Sequence, residues 1–273
     1  MILLSNLHVE YATPTGPHKI LKGIDLEIQS GERVVLMGPN GSGKTTLLRC
    51  LNGLSQPTQG EVKINGLPTS DAKNLPEIRR LVGMVFQNPE NQIVTTTVED
   101  EIAFGLENLC IAREAMHQIV TQMLQKFDLA ALKSHPPHLL SGGEMQRLAI
   151  AAVVAMSPPI LVLDEPTSLL DPHLRRSVMT LIDEIHSGSI SHEPITSLLV
   201  TQYPLEALSG DRLLVVHNGR IVLDGPPVDI FRRTSELAHL GVRLPVEFEI
   251  IDYLEKISHR NISLNPAELL PIT

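Results

Sequence analysis

The stretch "RVVLMGPNGSGKTTLLRCLNGL", residues 33 to 54, decides the fold. Its first five residues read as a short buried strand, and "TLLRCLNGL" after the loop reads as an apolar helix. Between them "GPNGSGKTT", 38 to 46, has the spacing G-x-x-x-x-G-K-T in the strand, loop, helix context that gives it physical meaning. Gly38, Gly41 and Gly43 let backbone N–H groups converge on an anion, and the dipole of the following helix favours negative charge there. Lys44 supplies a fixed positive charge, and Thr45 offers a hydroxyl to a magnesium ion. The loop is therefore a phosphate site.

On either side of it, short β-branched runs alternate with amphipathic stretches: "VGMVF" (82 to 86), "ILVLD" (160 to 164), "SLLVT" (197 to 201) and "RLLVVHNGRIVLDG" (212 to 225). That alternation predicts an α/β fold with buried, parallel strands. The Asn-Gly pair in the last run predicts a β-hairpin, with His217 flanking its turn. Between about 97 and 157 the strand signal is absent. Thr96 and Glu99 have capping-box spacing there, and Ile119, Met123 and Phe127 share one helical face, which predicts a helical lobe inserted into the α/β core. After about 233 the composition changes to a small appendage.

A chain of 273 residues can bury one substantial core. Its formal net charge of −9 argues against a nucleic-acid surface, which needs clustered Lys and Arg, so attraction for an anion must be local. The longest apolar run, "LAIAAVVAM" at 148 to 156, is far short of a membrane span, and "LHVEY" follows close on Met1 with no secretory leader pattern; the expected location is cytoplasmic. Cys50 and Cys110 lack metal-ligand spacing and are expected as buried thiols in helices.

Two further motifs narrow the chemistry. "ILVLDEP", 160 to 166, ends an apolar strand in two carboxylates: Asp164 suits magnesium and Glu165 can hold an attacking water. In "LLSGGEMQRLAIAAVVAM", 139 to 156, Ser141 and Glu144 form a capping box, while Gly142 and Gly143 permit close approach of an anion to a second helix N-terminus.

With these residues in place, about 1 to 232 resembles the ATP-binding cassette (ABC) ATPases. The resemblance implies a P-loop NTPase fold with a RecA-like core, an N-terminal antiparallel β element, a helical subdomain at about 88 to 157, and a C-terminal extension, 233 to 273, that serves as a dimerisation element. It implies ATP and Mg2+ as cofactors. The ATP-binding set is then Tyr11, which stacks on adenine, with Gly38, Asn40, Gly41, Ser42, Gly43, Lys44, Thr45, Thr46 and Gln87. Thr45, Gln87 and Asp164 hold the metal, and Lys44, Glu165 and Gln202 are catalytic. Two cassettes pair head to tail in this family, so Ser141, Gly142, Gly143, Glu144 and the D-loop residue Asp171 of "SLLD" act on the partner's ATP. Asp171 also suits an N-cap, with Pro172 at the first helical position.

"FQNPENQIVTTTVEDEIAFGLEN" (86 to 108), with "LGVRLP" (240 to 245), is similar to the ATPases of energy-coupling factor (ECF) and cobalt-type importers. This implies a second ABC ATPase, self or paralogue, an integral membrane subunit seated in the Q-loop groove beside Gln87, and a separate substrate-binding membrane protein. The location implied is the cytoplasmic face of the membrane, and the function is to energise uptake of a vitamin or transition-metal ion. In one respect the chain departs from the family. Where the switch histidine follows the strand "SLLVT", it has Gln202, whose amide can donate a hydrogen bond but cannot take up a proton near neutral pH. A slow ATPase is one expectation. The alternative is a nucleotide-gated partner that completes a paralogue's site and hydrolyses little itself.

Overall fold

The computed structural model describes residues 1–14, 16–190 and 194–258. Two long strands, β1 (Ile2–Thr13) and β2 (Gly16–Ile28), precede β3 (Arg33–Met37), and the phosphate loop joins β3 to α1 (Lys44–Leu51). Next come β4 (Gln59–Ile64), β5 (Leu67–Pro68), α2 (Leu75–Leu81) and β6 (Val82–Val85). The helical lobe is α3 (Val98–Asn108), α4 (Arg113–Lys126) and α5 (Gly142–Ala155). The chain returns through β7 (Ile160–Asp164), α6 (Pro172–His186), β8 (Thr196–Val200), α7 (Pro204–Ala207) and the hairpin β9 (Arg212–His217) and β10 (Arg220–Gly225). Three helices follow: α8 (Pro227–Phe231), α9 (Thr234–His239) and α10 (Val246–Ser258).

These strands form two sheets. One is antiparallel, in the order β2-β1-β4-β5; the other has six strands in the order β10-β9-β3-β8-β7-β6, parallel throughout except for the β9–β10 hairpin. The parallel strands are apolar on both faces because both faces are covered. Val35 and Met37 of β3, Leu161 and Leu163 of β7 and Leu213 and Val215 of β9 join the core cluster that holds the helical lobe, α6 and α8. Their alternate neighbours Val34, Leu36, Ile160, Val162, Leu214 and Val216 pack with α1 and the antiparallel sheet. Pleat periodicity thus divides one run of aliphatic side chains between two cores.

The lobe leaves the core after β6 and returns at β7, which pairs directly with β6. Met123 and Phe127 are buried and Ile119 packs against the same cluster, as the helical spacing predicts. The cap of α3 differs from the expectation. Thr97, one residue beyond Thr96, is the N-cap and accepts the Asp100 N–H at 3.2 Å. Thr96 and Glu99 have the right spacing, but Val98 must begin the helix for its side chain to reach the core, where it is fully buried. Cys50 is buried as expected. Cys110 is exposed, in a left-handed turn (φ 55°) after α3 has ended, because the helix stops at Asn108.

The appendage also packs on the core: Leu237, Val242 and Phe248 are buried, and the Phe248 ring lies 5.5 Å from that of Phe231. Residues 259–273 of the proposed extension lie outside the described residues.

Candidate functional site

The carboxyl ends of β3, β8, β7 and β6 are neighbours along one sheet edge, so the loops leaving them meet although they lie far apart in sequence. The phosphate loop leaves β3. Gly43, at φ 106°, stands at the N-cap of α1 with no side-chain capping bond, and Gly41 at φ 76° also takes the left-handed conformation. At Gly38 a Cβ would lie 2.0 Å from the Val216 carbonyl oxygen, so β9 presses against the loop and only glycine fits. The hairpin turn braces the loop from the other side, Gly219 donating its N–H to the Ser42 carbonyl at 3.0 Å.

Lys44 is buried, and its ammonium donates to the carbonyls of Gly38 (2.8 Å) and Pro39 (3.1 Å). Burial holds its pKa below the usual lysine value, opposed by the nearby charges of Glu165 and Asp164. Burial likewise pushes the Asp164 carboxyl above its usual range, partly offset by a hydrogen bond from the Thr45 side chain. Ser42 Oγ is buried without a protein partner, an orphaned polar atom inside the loop.

Glu165 stands at the centre. It is buried, its φ of 49° is a left-handed conformation unfavourable for a side chain with a Cβ, and its N–H is tied to the Val200 carbonyl at 3.0 Å. Each carboxylate oxygen accepts from a glutamine: Oε2 from Gln87 Nε2 at 3.1 Å and Oε1 from Gln202 Nε2 at 2.9 Å. The Gln202 nitrogen also donates to Asn40 Oδ1 at 3.0 Å. One carboxylate therefore joins the ends of β6, β7 and β8 to the phosphate loop.

Tyr11 is exposed on β1, with its hydroxyl 3.2 Å from Ser55 Oγ at the end of the α1 turn. Ser141 and Glu144 close the capping box of α5, Ser141 N–H donating to Glu144 Oε2 at 2.8 Å, and these bonds hold Glu144 below the usual carboxylate range. Asp171 caps α6 by accepting from the His173 and Leu174 N–H groups. A Cβ at Gly143 would lie 2.9 Å from Leu174, so the α5 end and the D-loop are adjacent and form a second, outward-facing group. Sequence reasoning missed Gln92, whose amide accepts from Phe86 N–H and donates to the Ala149 carbonyl, joining the Q-loop to α5; the repeated Gln of "FQNPENQ" was its only trace. It also missed the appendage at the site. Gly241, Val242 and Arg243 line a cleft of about 230 Å3 with Pro39, Asn40 and Gln202.

The ABC transporter family matches residues 21–168, more than half of the chain and inclusive of the phosphate loop, the α5 capping motif and both carboxylates. The chain belongs to the ABC transporter family. Within it this ATPase is of the energy-coupling factor type. It is 42% identical over 237 residues to the energy-coupling factor transporter ATP-binding protein EcfA1 of Caldanaerobacter subterraneus subsp. tengcongensis, covering 87% of this chain and 84% of that one. With EcfA1 of Bacillus subtilis it shares 39% over 238 residues, covering 87% and 83%. Among solved structures it is similar to the dimeric post-hydrolysis state of the cassette MJ0796 bound to ADP and Pi, with TM-score 0.75, 30% identity and coverage of 83% and 99%. CbiO1 of Clostridium perfringens, part of the ABC transporter complex cbiONQ, gives TM-score 0.74, 31% identity and coverage of 92% and 98%. The ABC ATPase fold expected from the sequence is the fold observed.

Proposed function

We propose that this chain binds ATP and Mg2+ at the phosphate loop and hydrolyses ATP to energise an ECF importer, taking up a vitamin or a transition-metal ion. The observation that carries this reading is the Glu165 carboxylate held by Gln87 and Gln202 beside Lys44 and Asp164. The orphaned Ser42 Oγ, the inward Lys44 ammonium and the glycine conformations fit a polyphosphate. The donor set of Thr45, Gln87 and Asp164 fits a hard oxygen-seeking cation. Bound magnesium would offset phosphate charge. Gly38, Asn40, Gly41, Ser42, Gly43, Lys44, Thr45 and Thr46 orient the phosphates, and Tyr11 supports the adenine. Glu165 orients and polarises the attacking water, and Gln202 donates a hydrogen bond on the γ-phosphate side.

A second reading is favoured by one feature of the same geometry. With both oxygens accepting from amides, Glu165 has less lone-pair capacity left to hold a water, and Gln202 cannot accept a proton. On that reading the chain hydrolyses little and completes a paralogue's site through Ser141, Gly142, Gly143, Glu144 and Asp171.

Further parts of the proposal are a cassette over 1–232, its helical subdomain at about 88–157, and dimerisation through 233–273 with itself or a paralogue. The chain is peripheral at the cytoplasmic membrane face, beside an integral membrane subunit and a separate substrate-binding membrane protein. In support, among the described residues no helix is long and apolar enough to cross a membrane, while Val94 and Phe104 are exposed near the Q-loop. The test is single-turnover ATP hydrolysis at this chain's own site. Glu165→Gln should abolish it, Lys44→Ala should abolish binding, and Ser141→Arg should cripple the partner's site only. Undiminished ATP affinity in Lys44→Ala would overturn the assignment.

A further inference from the structure

Around Gln202 the structure holds a cluster that the phosphate site itself does not use. On α6, the Arg175 guanidinium lies 3.4 Å from the centroid of the Tyr203 ring. Its Nη2 donates to the Leu170 carbonyl at 3.2 Å, and its Nε stands 3.9 Å from Glu206 Oε1. Glu206 is buried and fully engaged: Oε1 accepts from Thr167 Oγ1 at 2.6 Å, and Oε2 from Thr201 Oγ1 at 2.5 Å. Thr201 Oγ1 in turn accepts the Tyr203 N–H at 3.0 Å. Both residues that flank Gln202 are thus tied to a charged pair, Arg175 and Glu206. The same pair grips Leu170, one residue before the α6 cap, and Thr167, two residues after Glu165.

We infer that Arg175, Tyr203 and Glu206 form a positioning device that transmits the placement of the D-loop to the Gln202 amide. The inference rests on the ATPase reading above. The D-loop is the outward part: Leu169 and Asp171 are exposed, so whatever docks on the D-loop reaches them first. A shift there moves the Leu170 carbonyl away from Arg175, and the guanidinium must then leave the Tyr203 ring or draw it along. Thr201 is held to Glu206 and cannot follow, so the peptide at Gln202 rotates between a fixed neighbour and a moving one. Gln202 then changes its hold on Glu165 Oε1 and Asn40 Oδ1. A stacked guanidinium transmits such a displacement better than an ammonium because its plane and its fork of donors are rigid.

The test uses the full chain in its dimer, with single-turnover hydrolysis at this chain's site, ATP affinity and melting temperature read for each variant. Tyr203→Leu should slow hydrolysis by about tenfold or more, since a misplaced group near the reacting atoms is costly, with ATP affinity within about twofold and melting unchanged. Tyr203→Phe, which keeps the ring under Arg175, should restore the rate. In a Gln202→Ala background Tyr203→Leu should have no further effect, and Asp171→Ala should likewise fail to add to Tyr203→Leu. Should Tyr203→Leu lower the melting temperature, Arg175→Lys is read in the same cycles instead. Additive effects, a loss of ATP affinity in step with the rate, or no change in rate would each overturn the inference while leaving the ATPase reading intact. A wild-type chain that binds no ATP defeats that reading itself, and one that binds ATP without turning it over counts against both.

Discussion

Glu165 combines three constraints in one residue: a left-handed backbone, burial, and two glutamine donors on opposite oxygens. The left-handed conformation costs on the order of 1–3 kcal/mol, and the Val200 bond and the two amides offset it. At 202 an imidazole would release Oε1 from its amide bond and add a group able to take up a proton. Gln202→His is therefore expected to raise single-turnover hydrolysis at this site by about tenfold, a fraction of what a whole transition-state donor contributes. An unchanged or lower rate would show that the amide is not the limiting feature. A pH effect belongs to His186, whose ring lies 3.2 Å from Ser197 Oγ and whose pKa is held below its ordinary value of 6.5 by burial and then by the Arg33 charge. The unfolded chain binds this proton more readily, so the stability contribution is full above pH 6.5 and falls as pH drops through the depressed folded pKa. Melting scans between pH 8 and about pH 5 should show a smaller loss for His186→Gln than for the wild type.

At the scale of elements, the predicted strands of the parallel sheet agree with the observed β3, β6, β7, β8 and β9 within a residue because their aliphatic runs are buried on both faces. The antiparallel strands β1, β2, β4 and β5 carry no such run. Caps are less legible, since two adjacent threonines carry the same local signal. Thr97→Ala should cost about 1 kcal/mol in denaturant unfolding, and Thr96→Ala close to nothing; equal costs would mean the cap is shared. The β9–β10 hairpin braces the phosphate loop through Gly219, at φ 78°, where a Cβ would stand 2.1 Å from the Ile20 carbonyl oxygen. Gly219→Ala is expected to destabilise by roughly 1–3 kcal/mol and to weaken ATP binding, because the turn must retreat and release the Ser42 carbonyl. Calorimetric melting with an ATP titration checks both effects. An Asn-Gly hairpin is plain in the sequence, but its hydrogen bond to a loop some 180 residues earlier is not.

For the whole molecule, the exposed Val246, Ile250, Tyr253 and Ile257 recur at helical spacing along α10 while Phe248 is buried on the opposite side. Among the described residues nothing covers this face, which supports the proposed dimerisation role. Ile250→Glu together with Tyr253→Glu should weaken nucleotide-independent dimerisation by at least about tenfold, the loss of burying one such side chain. Sedimentation equilibrium without ATP would show an unchanged dimer if another surface is responsible.

The sequence alone carried the α/β class, the Gly-rich loop after β3, the two carboxylates that end β7, the capping box of α5 and the amide at Gln202. Each is a local pattern whose chemistry depends on residues within one turn or one strand. Tertiary structure decided what those residues do to one another. Gln87 and Gln202 are 115 positions apart and meet on one carboxylate only because β6, β7 and β8 are adjacent and parallel. Arg175 and Glu206 look like ordinary helix charges until packing stacks one on Tyr203 and buries the other. The loop at Gly241–Arg243 reads as part of a tail, yet it lines the phosphate-loop cleft because Leu237, Val242 and Phe248 bury their side chains in the core and carry the backbone there. Strand adjacency and long-range burial are set by the packing of the whole chain, and no short window of sequence contains them.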